Sequence, residues 1–327
     1  MTASISTARD RLDRRQVPIY FAAVVVAALA AMAVPALGAL EPAINPALAV
    51  MLFATFLQVP LADLGKALRQ FRFMAALLAA NFVAIPLLVA LLASFLPPDP
   101  MLRLGVLIVL LSPCIDYVVT FSHLGRADAR ALLAATPVLL GAQMLLLPVY
   151  LGIFAGETTR GLIQPGPFLH AFVWLIAAPL AVAALVQAWG RRSSTGAQVE
   201  SALGLLPVPA TALVLFVVVC AVIPQFDAAR PSAMRALPAY IGFALLAPGV
   251  GLAVGRLFGL AAQPLRAVAF SAATRNSLVV LPLALAIPGA VPVLPAVIVT
   301  QTLVELVAEL IYVRVIPLAA RDAATSL

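Results

Sequence analysis

The sequence predicts an all-α polytopic membrane protein with ten transmembrane helices, and three observations predict it. Apolar residues make up 64% of the 327-residue chain and charged residues only 10%; the mean hydropathy is +1.12, far beyond the range of soluble globular chains. The apolar residues fall in runs of about 20, the length that crosses a hydrocarbon core as a helix. These runs are continuous, without the alternation over about 10 residues that marks a barrel strand.

The first run, 17–37, follows a cytoplasmic segment, 1–16, carrying Arg9, Arg11, Arg14 and Arg15. It is too long for the core of a secretory signal and has no small-residue cleavage pattern behind it, so it reads as an uncleaved first helix. Charged or Pro/Gly-rich breaks then delimit 43–62, 73–96, 101–122, 131–154 and 167–189. After the polar stretch Gly190 to Ser201 come 205–226, 236–257, 265–287 and 291–318. The expected organisation is two five-helix repeats, 17–189 and 205–318, around a solvated cytoplasmic linker, 190–204, with a cytoplasmic tail, 319–327. With the N-terminus inside, loop alternation places Arg103, Arg160, Arg230 and Arg235 outside and every other Lys and Arg, Arg275 apart, inside. The positive-inside rule then puts both termini in the cytoplasm, in a cytoplasmic (inner) membrane. The net charge of +7 is this bias expressed as a total, and no nucleic-acid partner is needed to explain it.

Several function classes are excluded. Cys114 and Cys220 both fall inside spans, so neither a disulfide framework nor a zinc site of three or four thiolates is expected, and no resident metal or cofactor is implied. No Walker-type glycine loop is present, so the chain does not drive transport by its own ATP hydrolysis. Carboxylates on separate spans, and the lack of a histidine placed beside a serine nucleophile, argue against an enzyme.

Two spans look internally broken. Span four contains Leu111-Ser112-Pro113-Cys114-Ile115-Asp116-Tyr117, where Pro113 removes a backbone donor and clashes one turn back. Span nine contains Ser271-Ala272-Ala273-Thr274-Arg275-Asn276-Ser277, with Thr274 at the break. Arg275 is the sole charge between Arg266 and Glu305, at a depth where a charge costs a few kcal/mol or more unless something pairs with it. Repeats with an odd number of spans enter the membrane in opposite senses, as in secondary transporters whose broken helices cross at a midplane site. The candidate substrate-binding residues are Ser112, Cys114, Asp116, Arg275, Asn276 and Ser277, with Asp116 and Arg275 paired across the crossing. Cys114 offers a soft ligand beside a helix break, whereas Cys220, set among valines, is expected to pack.

Glu305 and Glu309 lie one helical turn apart on span ten. Two carboxylates there cannot both ionise cheaply, which supplies a proton carrier; Glu305 is the favoured one, and Glu309 lies close enough in sequence to pair with Arg314. Asn81, Gln143 and Gln301 either line the cavity or join helices. His123 and His170 are expected near span ends. Tyr20, Tyr312, Trp174 and Trp189 are expected in aromatic belts or in packing.

Together these residues resemble the bile acid:sodium symporter superfamily, and within it the arsenite efflux permeases of the yeast-type arsenical-resistance family. The likeness rests on Pro113-Cys114, the loop Leu124 to Asp128, Arg275-Asn276 and Leu303-Val304-Glu305, in the right spans and order. It implies arsenite or antimonite as substrate, a transient As(III) thiolate at Cys114, a required glutamate at 305, and protons as coupling ion. Two departures stand out. Sodium-coupled members carry Glu-x-Gly-x-Gln-Asn-Ser in span nine, and aligned on Asn276-Ser277 this chain has Ser271 and Arg275 at the glutamate and glutamine places. A fixed cation there repels Na⁺. Asp116 stands where typical arsenite permeases carry a small or apolar residue. The alternative is an organic-anion carrier in which Arg275 takes a substrate carboxylate as a bidentate partner.

Overall fold

The computed structural model describes residues 2–58, 70–115, 117–154, 166, 170, 173–285 and 287–320; Asp116 lies outside them. Within these residues the chain is helical, with no strand, because in hydrocarbon a helix satisfies its own backbone groups. Among the described residues seven helices are long and apolar enough to cross a membrane and two shorter apolar ones accompany them. Expected spans four and nine are absent from the seven because each is divided into shorter pieces.

The elements, in chain order, are α1 (Thr2–Ala33), α2 (Pro35–Gln58, 3₁₀ in its first turns), α3 (Phe71–Ser94), α4 (Pro100–Leu110) and α5 (Val118–Leu124). Next come α6 (Ala129–Phe154), α7 (Ala178–Gly190), α8 (Ser194–Leu203), α9 (Pro207–Val222) and α10 (Phe226–Leu257). The last are α11 (Ala262–Ala273), α12 (Ser277–Leu285) and α13 (Val293–Ala319). The N-terminal segment is thus continuous with the first helix. The stretch expected as a solvated linker carries α8, whose first turn is capped by Ser193 Oγ accepting from Gly196 N at 3.2 Å, the usual role of serine at a helix start.

The chain forms two compact units. One comprises 1–59, 164–230 and 281–296. In it α9 packs on α1 and α2, Cys220 Sγ approaches Ala27 O at 3.6 Å, and Gln187 Nε2 donates to Phe56 O and Leu57 O at 3.1 and 3.3 Å. The 190–204 stretch lies inside this unit rather than between units. Six of the expected spans precede that stretch and four follow it, so it does not part them five and five.

The other unit comprises 60–163, 231–280 and 297–327 and holds α3 to α6, α11, and most of α10 and α13. In α3 a π turn over Ala80–Ala84 precedes Pro86. Proline cannot donate to the carbonyl four residues back, and that carbonyl, Phe82 O, accepts from Tyr150 Oη at 2.5 Å instead. Close approach of α10 to α11 depends on Gly251, where an added Cβ would lie 2.7 Å from Ala269 Cα. The Leu124-to-Asp128 loop ties three elements together. A Cβ on Gly125 would meet the Phe270 ring at 2.2 Å, Arg126 O accepts from Arg266 at 3.1 Å, and Asp128 Oδ1 caps α6 through Ala131 N at 2.9 Å. Arg256 and Arg266 cap the C-terminal carbonyls of α13 at Ala319 and Ala320, where cationic donors are favoured.

Candidate functional site

Two broken helices build the site. Helix α4 stops at Leu110, and Ser112 Oγ turns back to Ile108 O at 2.7 Å. Helix α11 stops at Ala273, and Thr274 Oγ1 turns back to Phe270 O at 2.7 Å. The extended residues after each helix pair as a single antiparallel bridge between Pro113 and Arg275. The flanking residues make its bonds: Cys114 N donates to Thr274 O at 3.1 Å and Asn276 N donates to Ser112 O at 2.8 Å. Pro113 therefore sits at a non-hydrogen-bonded pair, the position of an antiparallel ladder that needs no N–H from it. The same geometry turns Arg275 N and O outward, available to side chains.

Helix α13 supplies one of those side chains. Arg275 N donates to Glu305 Oε2 at 2.7 Å, Gln301 Nε2 donates to the same oxygen at 2.6 Å, and Tyr117 Oη bonds Glu305 Oε1. Ser277 Oγ donates to Gln301 Oε1 at 2.5 Å, and Tyr117 Oη lies 3.3 Å from Arg275 O. One turn on, Glu309 Oε1 lies 2.5 Å from Thr274 Oγ1, while its Oε2 has no partner among the described residues. Gln301, Glu305 and Glu309 thus present one face of α13 to the break in α11.

The Arg275 guanidinium is fully buried. Its Nη2 reaches Asn81 Oδ1, Ser271 O and Ala272 O at 2.8, 2.6 and 2.8 Å, and Nη1 reaches Leu110 O at 3.4 Å. Phe243 lies beneath it, 5.4 Å from ring centroid to Cζ, in cation–π range. The carbonyls are the C-terminal ends of α4 and α11, where helix dipoles favour a cation. The π turn in α3 holds Asn81, whose Nδ2 also bonds Ser271 Oγ at 2.9 Å. The guanidinium binds helix ends, and only Nε has no partner among the described residues.

Ser112, Pro113, Cys114, Thr274, Arg275, Asn276 and Ser277 therefore meet at the crossing, all within one compact unit, and Glu305 and Glu309 reach it from α13. Cys114 is buried and not in a disulfide. Asp116, the expected partner of Arg275, lies outside the described residues. Glu309 bonds Thr274 rather than Arg314, which is exposed and bonds Leu310 O at 3.2 Å. Tyr117 is the site residue the sequence reading passed over; its one signal is its place three residues after the cysteine. Of the tyrosines expected in belts or packing, Tyr312 is 6% and Tyr20 2% exposed, as packing requires. Tyr312 Oη bonds Ala244 O at 2.5 Å. A small cavity beside Glu305 and Gln301 is walled by Phe243, Tyr312 and Tyr240, whose hydroxyl has no partner among the described residues. Trp174 and Trp189 are 62% and 44% exposed.

Two interrupted helices joined back to back, with a buried arginine and carboxylates at the joint, are architecture suited to a transporter. Residues 45–228, more than half of the chain, match the family model described as the sodium bile acid symporter family. The chain belongs to that family. No curated protein matches it. Membership in this family of membrane transporters agrees with a multi-pass chain that moves a substrate, with a coupling ion, through a bilayer. The matched stretch includes α3 to α6 and ends before the elements carrying Arg275, Glu305 and Glu309, so the second half of the site rests on geometry alone.

Proposed function

We propose that this sodium bile acid symporter family member exports arsenite, or antimonite, from the cytoplasm across the cytoplasmic membrane in exchange for protons, with both termini in the cytoplasm. The observation that carries the reading is the position of Cys114: the thiol-bearing residue is stitched by its own N–H to the broken span nine, where a transporter of this kind receives substrate. As(III) is soft and thiophilic, and a single cysteine gives it a bond that forms and releases. The carbonyl cage around Arg275 supports the same reading against an organic-anion carrier, because the guanidinium has little left to give a carboxylate. A fixed cation packed against the helix ends also disfavours a mobile Na⁺ there, leaving protons as the coupling ion, and buried carboxylates next to the break supply carriers. Ten spans as two inverted repeats fit the two units, each of which takes segments from both halves of the chain.

The test is thiol protection. In purified Cys220→Ser protein, where Cys114 is the remaining cysteine, arsenite or antimonite should slow alkylation of Cys114 by a small maleimide, and acetate or a bile acid should not. Protection by the organic anion and none by either metalloid would overturn the reading.

A further inference from the structure

The two carboxyl groups on α13 look alike in sequence, but their hydrogen-bond surroundings are opposite. Thr274 Oγ1 makes two oxygen–oxygen contacts, 2.7 Å to Phe270 O and 2.5 Å to Glu309 Oε1. Contacts this short each need a proton between the oxygens. A threonine hydroxyl brings one, and a main-chain carbonyl brings none. A protonated Glu309 supplies the second. The other Glu309 oxygen is buried and has no partner among the described residues, which is far less costly for the carbonyl of a neutral acid than for a carboxylate. Glu305 is the reverse case: Oε2 takes the Arg275 N–H and the Gln301 amide at 2.7 and 2.6 Å, and Oε1 meets the Tyr117 hydroxyl. Donors converging on both oxygens, from main chain and side chains, suit an anion.

We propose that Glu309, as a neutral acid donating from Oε1 to Thr274, is the proton-carrying group of the transport cycle, and that Glu305 is a standing anion that holds the crossing together. This rests on the proton-exchange reading above and reverses the roles the sequence suggested. The titratable groups that face Glu309 among the described residues are Glu305 and Tyr312 on its own helix and Tyr117 ahead of α5; Arg275 and Cys114 at the bridge face Tyr117 in turn. When Glu309 gives up its proton to the opposite side of the membrane, Thr274 must turn its hydroxyl from Phe270 O toward the new carboxylate, and a second negative charge appears one turn from Glu305. Thr274 O is also the acceptor of the Cys114 N–H, so the change arrives at the residue assigned to substrate.

Infrared spectroscopy of the purified protein tests the assignment without any substrate, because the C=O stretch of a protonated carboxylic acid is absent from ionised carboxylates. At neutral pH the native protein should show a buried-acid band that is resistant to rapid hydrogen exchange. Glu309→Gln should lose it and Glu305→Gln should keep it. Loss in Glu305→Gln with retention in Glu309→Gln would overturn the proposal, as would no band in the native protein. Thr274→Val provides a second check: with its acceptor removed, the Glu309 band should shift to higher frequency rather than vanish, and no shift would count against the pairing. In vesicles, Glu309→Gln should lose gradient-driven arsenite uptake while keeping arsenite–arsenite exchange, and loss of both would contradict a coupling role. If the native protein moves no arsenite, the substrate reading falls while the infrared result still decides where the proton lies.

Discussion

Pro113 and Arg275 face each other as the one bridged pair of the helix crossing, and the residue without an N–H stands opposite the residue whose N–H goes to Glu305. A proline is free to occupy this place because a non-hydrogen-bonded pair asks nothing of its nitrogen. It also keeps α4 from running through the joint, since proline in a helix interior is about 3 kcal/mol less favourable than alanine. Pro113→Ala should therefore let helix propagate toward Cys114 and lower transport at least tenfold with the protein still folded. Circular dichroism and transport assays at matched protein levels check this; unchanged transport would show that the break does not depend on proline.

Arg275 is expected to be a structural cation. Removing one partner of a buried charge network typically costs about 3–5 kcal/mol, so Arg275→Ala should fall in that range, or fail to fold, in denaturant titrations in detergent. Arg275→Lys should recover part of the loss, because an ammonium keeps the charge but not the planar fork. Native stability in Arg275→Ala would remove the cage from the account.

Tyr117→Phe deletes one donor to Glu305 and leaves the others. A hydrogen bond to a charged group contributes about 1.5–3 kcal/mol, so the variant should be less stable by about that amount, and by less than Glu305→Ala, which strands every donor at once. A double-mutant cycle checks the link: losses that simply add would mean that Tyr117 and Glu305 do not act through each other.

Gly251 and Gly249 give a paired test of packing on α10. A Cβ at 251 meets Ala269 Cα at 2.7 Å, whereas one at 249 meets nothing within 4 Å. Gly251→Ala should destabilise by about 1–3 kcal/mol through overpacking, and Gly249→Ala should stabilise by about 0.5–1 kcal/mol, the helical preference for alanine over glycine. Thermal unfolding of the two variants side by side reads both signs.

Much of the crossing was legible because polar residues stand out in an apolar chain. Pro113, Arg275 and the Ser271-to-Ser277 run mark both breaks, and Glu305 with Glu309 marks a face of α13. What the sequence concealed follows from the same apolarity. A helix that is hydrophobic all round has no pattern to say which side faces lipid, so the choice between belt and packing for Tyr312 and Tyr20, both buried, came only with the structure. Asn81 and Gln301 gave no sign of choosing the network over simple helix joining, because that depends on a π turn in α3 and on the rotation of α13. The role of Tyr117 came only with the fold of the break. The α8 helix was hidden by a polar composition that suits either a loop or a capped surface helix.

The central claim is metalloid passage by way of Cys114, and the most direct measurement is arsenite uptake into everted membrane vesicles under an imposed proton gradient. Native protein, Cys114→Ser and Cys220→Ser would be compared at matched expression. The account expects gradient-dependent uptake in the native and Cys220→Ser vesicles and its loss in Cys114→Ser. Undiminished uptake in Cys114→Ser, or none in the native vesicles, would contradict it.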